Sequence, residues 1–472
     1  MILLIRFSMW RRSHYASQMA SAQAAFHAES ALNGRKLEMR THPRGLTKLT
    51  ATIAVAAMSF GLAACGGSDS GGGGAGDKNV TVWMSVDPLV FDGLQKEIVK
   101  EGAAQGITVD VQKVTDINTL IMTKIQAGDT PDIALIPQPG VVADIVSRDA
   151  AKPIDFLDAS ATSDMTPGTL DAGTVNGTLY GLLVSMNVKS LVFYPKKAWD
   201  AAGYTAPDSL DGLLALTDQI KADGGTPWCL GIESADATGW PATDWFEDLI
   251  MRYGGTDVYK QWVTHELPFD SDVVKQAADY FGKIAFTDGN VAGGKGSIAS
   301  TGFGDADNPM WKTPPGCWLL KQGNFIVSKD FMPADVIANV DDNIGVFGFP
   351  PATAGGDDPT LGGGDMAVMF ADDDSTKAVM KILADKQVGV QAAPSSSFIS
   401  PHTSFDVSLY PNDLTRQIAD VAYKSTALLF DGSDSMPGAV GTAFWQEATA
   451  WLSGQEDIDT ALKNIDQSWP SS

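Results

Sequence analysis

The chain has 472 residues, with 33 Lys/Arg against 57 Asp/Glu and a formal net charge of −24. A surface of that sign repels nucleic-acid phosphates and anionic headgroups, which excludes a nucleic-acid binder and a protein held to membranes by a basic patch. The length also exceeds what one hydrophobic core serves, so two lobes are expected.

The leading segment is read as a processing signal rather than as fold. Residues 51–64 are apolar or small and follow Arg40, Arg44 and Lys48. That order fits a secretion signal, and its apolar core falls short of the ~20 residues a transmembrane helix needs. Leu62-Ala63-Ala64-Cys65 resembles the bacterial lipobox, in which the cysteine becomes the acylated first residue of the mature protein. Residues 1–64 are therefore assigned to the signal, with Met39 as the expected true start, and 65–78 to a lipidated Cys65 on a flexible Gly/Ser tether. This implies an extracytoplasmic protein, lipid-anchored to the outer face of the cell membrane. Without the signal, 25 basic and 55 acidic residues remain, net −30. Outside the cytoplasm the two remaining cysteines, Cys229 and Cys317, are expected to form a disulfide. The mature histidines, His265 and His402, have no ligand-spaced neighbours, and neither a metal nor a cofactor is expected.

Beyond the tether, "NVTVWMSVD" alternates Val80, Val82 and Met84 as a strand would, and "FDGLQKEIVKEG" spaces Phe91, Leu94 and Ile98 on one helical face. "ITVDVQKV" returns to a period of two. "INTLIMTKIQAG" places Ile117, Leu120, Ile121 and Ile125 on a helix ending at Gly128, and "DIALIP" is a short buried strand. Strands alternating with helices predict an α/β sheet. "LYGLLVSMNVKSLVFYP" reads as strands through a buried region, and "DSLDGLLALTDQIKADG" as a helix capped by Asp208 or Ser209. "TDWFEDLIMRYGG" reads as a helix capped by Thr243, with Trp240 in the loop before it and Trp245 facing the core. From Thr442 onward the chain is helical again, interrupted at Gly454. "GNVAGGKG" at 289–296 approaches a phosphate-binding loop, but Gly296 stands where the hydroxyl residue is required and the preceding segment reads as a helix end.

In order and spacing, the lipobox, "AGDTPDIALIPQPG", "LYGLLVSMNVKSLVFYPKKAWDAAGY", "TPWCLGIES" and "LGGGDMAVMF" resemble the carbohydrate-binding lipoproteins of ABC importers, extracellular solute-binding protein family 1. "ATGWPATDWFEDLIMRYGG" is most similar to the α-glucoside-binding members. One departure is "YGLLVSMN", where a proline is usual after the leucine. The resemblance implies a type II periplasmic-binding-protein-like α/β fold, with two lobes on a hinge and a ligand cleft between them. It implies lobe 1 at 79–188 plus about 361–400, and lobe 2 at about 189–360 plus 401–472. It further implies a monomer that captures a neutral sugar or oligosaccharide and delivers it to the transmembrane subunits of an ABC permease, with no enzymatic activity.

Sugar recognition needs aromatic faces for C–H surfaces and fixed acceptors for hydroxyls. Eleven of the twelve Trp lie in the mature chain. Trp240, on a loop, and Asp244, four residues on, form one candidate pair, though packing and a favourable helix-dipole position would also account for them. Trp83 and Asp87 stand at the carboxyl end of the first strand, where α/β sheets present ligands, and Gln138 follows the third strand in the same way. Trp83 could equally be core, and Asp87 a helix cap. Asn187 lies at a crossover between lobes, and Glu233 follows "CLGI". Gly363 would admit a ligand to the backbone, with Asp365 beside it as an acceptor. Trp318 would make a rigid platform next to the disulfide. Two other classes stay open at this point: a secreted glycoside hydrolase, which needs two carboxyls ~5–10 Å apart, and a structural envelope lipoprotein.

Overall fold

The computed structural model describes residues 78–470, so the signal segment, Cys65 and nearly all of the tether lie outside the described residues. The first strand, β1 (Asn79–Met84), pairs in parallel with β2 (Thr108–Lys113) on one side and β3 (Ile133–Ile136) on the other. β3 is "IALI", buried at all four positions, as a strand covered on both faces must be. The intervening helices carry the expected apolar faces. Pro88–Ala104 starts on an Asp87 cap and buries Phe91, Leu94 and Ile98. Ile117–Ala127 stops at Gly128, whose φ of 67 is the left-handed conformation glycine adopts without strain.

After a small hairpin, β4 (Thr174–Val175) with β5 (Thr178–Leu179), the chain enters β6 (Gly181–Val188), then β7 (Leu191–Pro195). β7 is the middle of a second, antiparallel sheet, between β8 (Leu320–Lys321) and β9 (Ile344–Gly348). The chain then returns to the first sheet as β10 (Thr360–Met369). One edge of β10 takes β6, and the other takes β3 and β11 (Leu428–Phe430). Two hydrophobic clusters result. One surrounds the first sheet. The other is aromatic, with Trp228, Trp245, Phe246, Trp262, Phe281 and Phe349 fully buried, and Trp245 stacked on Phe281 at 5.0 Å. The helix Asp413–Lys424 packs on both β9 and β6, so this part of the C-terminal region touches both sheets.

Ser209 caps Leu210–Ala222 through Gly212 N–H at 3.2 Å, and Gly454, with φ 73, follows the helix Gly438–Leu452. One expected boundary is corrected. The helical run Trp240–Val263 begins at Trp240 and not after Thr243, which lies inside it with its hydroxyl on the Trp240 carbonyl at 2.9 Å. Pro241 fits that first turn because its missing N–H would have had no helical partner there. Gly239 precedes it at φ 112, where a Cβ would come within 2.1 Å of the Trp445 carbonyl oxygen. The run breaks at Gly255, which has φ 80 and ψ 174.

Cys229 and Cys317 are bonded, with Cα atoms 5.4 Å apart. Close to the crossings between the sheets sits a fully buried ionic knot. Asp248 Oδ1 is 2.6 Å from Arg252 Nη1 and its Oδ2 is 2.6 Å from Lys321 Nζ. Ser190 Oγ donates to Asp248 Oδ1 at 2.5 Å and accepts from Leu361 N–H at 2.7 Å. Arg252 donates to the carbonyls of Phe349 and Pro350 at 2.6 and 2.7 Å.

Candidate ligand-binding site

β6 and β10 run antiparallel with Asn187 opposite Gly363 and Ser185 opposite Asp365. Opposed residues of such a pair share a face, so these four make one polar stripe, while Val184, Met186 and Val188 fill the core on the other. Ser185 Oγ donates to Asp365 Oδ2 at 2.8 Å. A Cβ built at Gly363 would meet only a Phe430 ring carbon, at 3.9 Å, so the middle of the stripe is an open floor.

Two residues beyond Asn187 the same alternation brings up Lys189. Its ammonium bonds Asp244 Oδ1 at 3.1 Å and the Asp431 carboxylate, and it sits 5.3 Å from the centre of the Trp240 ring. Trp240 is half-buried, edge-on to Phe303 at 5.0 Å and tilted against Phe325 at 5.8 Å. Glu247, one helical turn after Asp244, accepts from the N–H groups of Gly432 and Ser433 at 2.9 and 3.1 Å. Carboxylate oxygens of Asp244, Glu247 and Asp431 all lie within 4.8 Å of one another, and Lys189 supplies the balancing charge.

The electrostatics follow from that crowding. Burial would lower Lys189, but Asp244 and Asp431 hold its ammonium well above the usual lysine value. Burial raises Asp244 to about 7 against the pull of Lys189. Burial and the neighbouring Asp431 raise Asp434 to about 7, and Glu247 is pushed well above the carboxylate range by the same causes. Asp431 alone is held low: burial opposes its charge, and Lys189 prevails. Asp365 has no cation beside it, and burial lifts it to about 6 despite the Ser185 hydroxyl.

That last shift predicts a pH signature. A carboxyl whose folded pKa is raised penalises the fold once ionised; the penalty opens above the unfolded value near 4 and is complete above about 6. Asp365→Asn should therefore stabilise the ligand-free protein at pH 7.5 by ~1–2 kcal/mol, allowing for partial exposure, and leave it unchanged at pH 4. Urea unfolding at the two pH values checks this; equal effects at both would refute the burial argument.

Of the residues proposed from sequence, Trp240 and Asp244 meet Lys189, while Asn187, Gly363 and Asp365 share the β6–β10 stripe that precedes it. Gln138 joins them across a long sequence gap, its Nε2 donating to Asp434 Oδ1 at 2.9 Å, while its Oε1 accepts from Asn118 at 2.5 Å. Glu233 is at the margin. It is exposed, its carboxylate accepts from Ala235 N–H at 2.9 Å, and its carbonyl accepts from the N–H of Phe303, which packs on Trp240. Asp87 is exposed and caps its helix through Leu89 N–H at 2.9 Å. Trp83 is 8 % exposed, with its indole N–H on Gln112 at 3.1 Å. Trp318 packs edge-on to Tyr204 at 5.0 Å, beside the second hydrophobic cluster. Lys189, Glu247, Asp431 and Asp434 were not picked out in the sequence. The signal for Lys189 was present in the alternation Ser185, Asn187, Lys189.

A stripe of fixed donors and acceptors, an open glycine floor and a flanking indole suit a polyhydroxylated ligand. Solved structures share the fold. The chain superposes on the bacterial solute receptor AcbH, described as having an exclusive preference for β-D-galactopyranose, with a TM-score of 0.70, 16% identity and coverage of 83% of this chain and 98% of that one. Against the sugar-binding protein MalE of the phytopathogen Xanthomonas citri the TM-score is 0.65 at 17% identity, covering 82% and 95%. The fold is thus that of the two-lobed periplasmic binding proteins. Residues 90–384 match the profile of the bacterial extracellular solute-binding proteins, and the chain belongs to that family. Among its relatives, the osmoprotective compounds-binding protein GgtB of Synechocystis is 37% identical over 389 residues, covering 81% of this chain and 91% of GgtB. The alpha-glucosides-binding periplasmic protein AglE of Rhizobium meliloti is 32% identical over 403 residues, covering 82% and 86%. The chain is a substrate-binding component of an importer and not an enzyme. Among the described residues no helix is long and apolar enough to cross a membrane.

Proposed function

We propose that this chain is the lipid-anchored, monomeric receptor of an ABC importer for a neutral α-glucoside-like sugar, held outside the cytoplasm through Cys65. The observation that carries the sugar assignment is the stripe Ser185–Asn187–Gly363–Asp365, with the Trp240 ring over Lys189 two residues beyond Asn187. Neutral carboxylic acids and carboxylates both bond hydroxyls well, whereas the surrounding acids repel anionic sugars. The likeness to AglE, which binds alpha-glucosides, supports that class, and the likeness to GgtB, which binds osmoprotective compounds, adds small compatible solutes as candidates. On this reading the ligand lies between a first lobe built on 79–188 and about 361–400 and a second built on about 189–360 and 401–472, closed by turning about the hinge.

A melting panel of trehalose, sucrose and maltose, with galacturonate as the anionic control, tests this. Ligand at a hundred times its dissociation constant should add ~2.7 kcal/mol to native stability. One of the three neutral disaccharides is expected to shift the midpoint and galacturonate is not. Trp240→Ala and Asp365→Asn should each abolish most of the shift relative to their own ligand-free forms. No shift with any carbohydrate would remove the proposal, and a full shift in both variants would move the site elsewhere.

A further inference from the structure

The turn 431–436 is seated on three neighbours at once. Behind it, a Cβ on Gly432 would come within 2.9 Å of the Trp262 ring and 3.0 Å of the Tyr259 hydroxyl, so no side chain fits there against the helical run Trp240–Val263. Glu247 of that run accepts from the Gly432 and Ser433 N–H groups. In front, the turn closes over the start of the helix Pro139–Ser147. A Cβ on Gly140 would lie 2.9, 3.2 and 3.4 Å from the carbonyl oxygens of Met436, Asp434 and Ser435. To the side, the Trp445 indole N–H donates to Ser433 Oγ at 3.2 Å. The half-buried Asp434 completes the seat by accepting from Gln138, the residue before that helix.

Charge crowds this seat. Asp431 and Asp434 of the turn stand near Asp244 and Glu247 of the helical run, and Lys189 is the ammonium that meets them. Lys321 reaches the Asp244 carbonyl oxygen at 3.0 Å but pairs with Asp248. Asp144 on the facing helix is exposed and of the same sign, and Tyr259 stays neutral because burial lifts it well above its ordinary value. One ammonium cannot balance four carboxylates largely withdrawn from water, so the seated turn must hold protons. Asp434 is the acid that leaves with the turn. Seated, burial and Asp431 raise it to about 7; in water it returns to the ordinary value near 4. Between those values only the seated form keeps the proton, so release grows easier as the pH rises through that window and levels off above it. Asp431, held low by Lys189, acts in the opposite sense only below its ordinary value, and Lys189 keeps its charge throughout. We infer that the turn 431–436 is a proton-operated latch on the helix Pro139–Ser147, firm in acid with the Asp434 carboxyl protonated and loosened at neutral pH once that proton is gone. The latch needs no ligand and stands or falls apart from the sugar assignment.

Hydrogen exchange of the amides at 432–436 in the full chain, read at pH 5 and pH 7.5 and corrected for the intrinsic rate, tests it. A proton bound only in the seated form changes the release equilibrium by up to about tenfold per pH unit, and half-burial keeps Asp434 below that ceiling. Wild-type protection should therefore fall ~10-fold or more between the two pH values. Asp434→Asn keeps an oxygen that accepts from Gln138 but cannot ionise, and its protection should change by less than ~3-fold. Asp144→Asn, which removes an exposed charge nearby, should retain the whole fall. Gly140→Ala, whose Cβ crowds the Met436 carbonyl, should leave the turn poorly protected at both pH values. Equal wild-type protection at the two pH values, or an undiminished fall in Asp434→Asn, would overturn the latch. So would loss of the fall in Asp144→Asn, or wild-type protection in Gly140→Ala.

Discussion

Lys189→Met is expected to cost ~3–5 kcal/mol of stability at pH 7.5, the usual consequence of removing one partner from a buried ion pair. The Lys189 side chain is 11% exposed and those of Asp244 and Asp431 are 5% and 3%, so water cannot take over the lost charge. The sign with pH is fixed by Asp431. Its folded pKa is held below the ordinary value, so its pairing contributes stability above the unfolded pKa near 4 and loses it as the pH falls through the folded one. In the variant the orphaned carboxylates would titrate higher and accept protons as the pH drops. The deficit against wild type should therefore shrink between pH 7.5 and pH 4. Urea midpoints at both values measure it. A variant within 1 kcal/mol of wild type at pH 7.5 would show that the acids relax or protonate without needing the lysine.

Removing the disulfide should be about as damaging. Cys229 and Cys317 are 88 residues apart in sequence, and closing a loop of that length restricts the unfolded chain by about 4.6 kcal/mol on the chain-entropy account. The bond also ties together neighbours of the site. Cys229 N–H donates to the Leu319 carbonyl at 2.8 Å, and the segment leaving Cys229 runs through Glu233 to Trp240. The double variant Cys229→Ala/Cys317→Ala should lose ~3–4 kcal/mol, and dithiothreitol should bring the wild type down toward it while leaving the variant unmoved. Equal stability of oxidised and reduced wild type would mean that the segment is held by packing alone.

The parts of the fold governed by local periodicity were legible in the sequence. β1, β2, β3 and the helices between them follow from alternation and capping, and Cys229 with Cys317 follows from compartment and count. The start of the helix at Trp240 was missed because a Trp-Pro pair reads as loop, whereas proline in a first helical turn costs nothing. Lys189 was missed for a different reason. A lysine just past a strand ordinarily reaches solvent, and only the tertiary approach of Asp244 and Asp431, 55 and 242 residues further along, makes it a buried counter-ion. Asp431 and Asp434 stand in "FDGSDS", which looks like a capped turn and is one, with Asp431 accepting from Asp434 N–H. Their second role depends on contacts that no local pattern encodes. Trp318 shows the converse: a position expected to be a rigid platform beside the disulfide packs its ring against Tyr204.

The Asp248 knot bears on how such a receptor moves. Segments around Ser190, Lys321, Phe349–Pro350 and Leu361 all reach this one carboxylate directly or through a single side chain. Strands fastened to a common point cannot slide past each other. An opening of the lobes would therefore have to turn about that fastening, as a door turns on a pin, rather than draw on slack in the connecting chain.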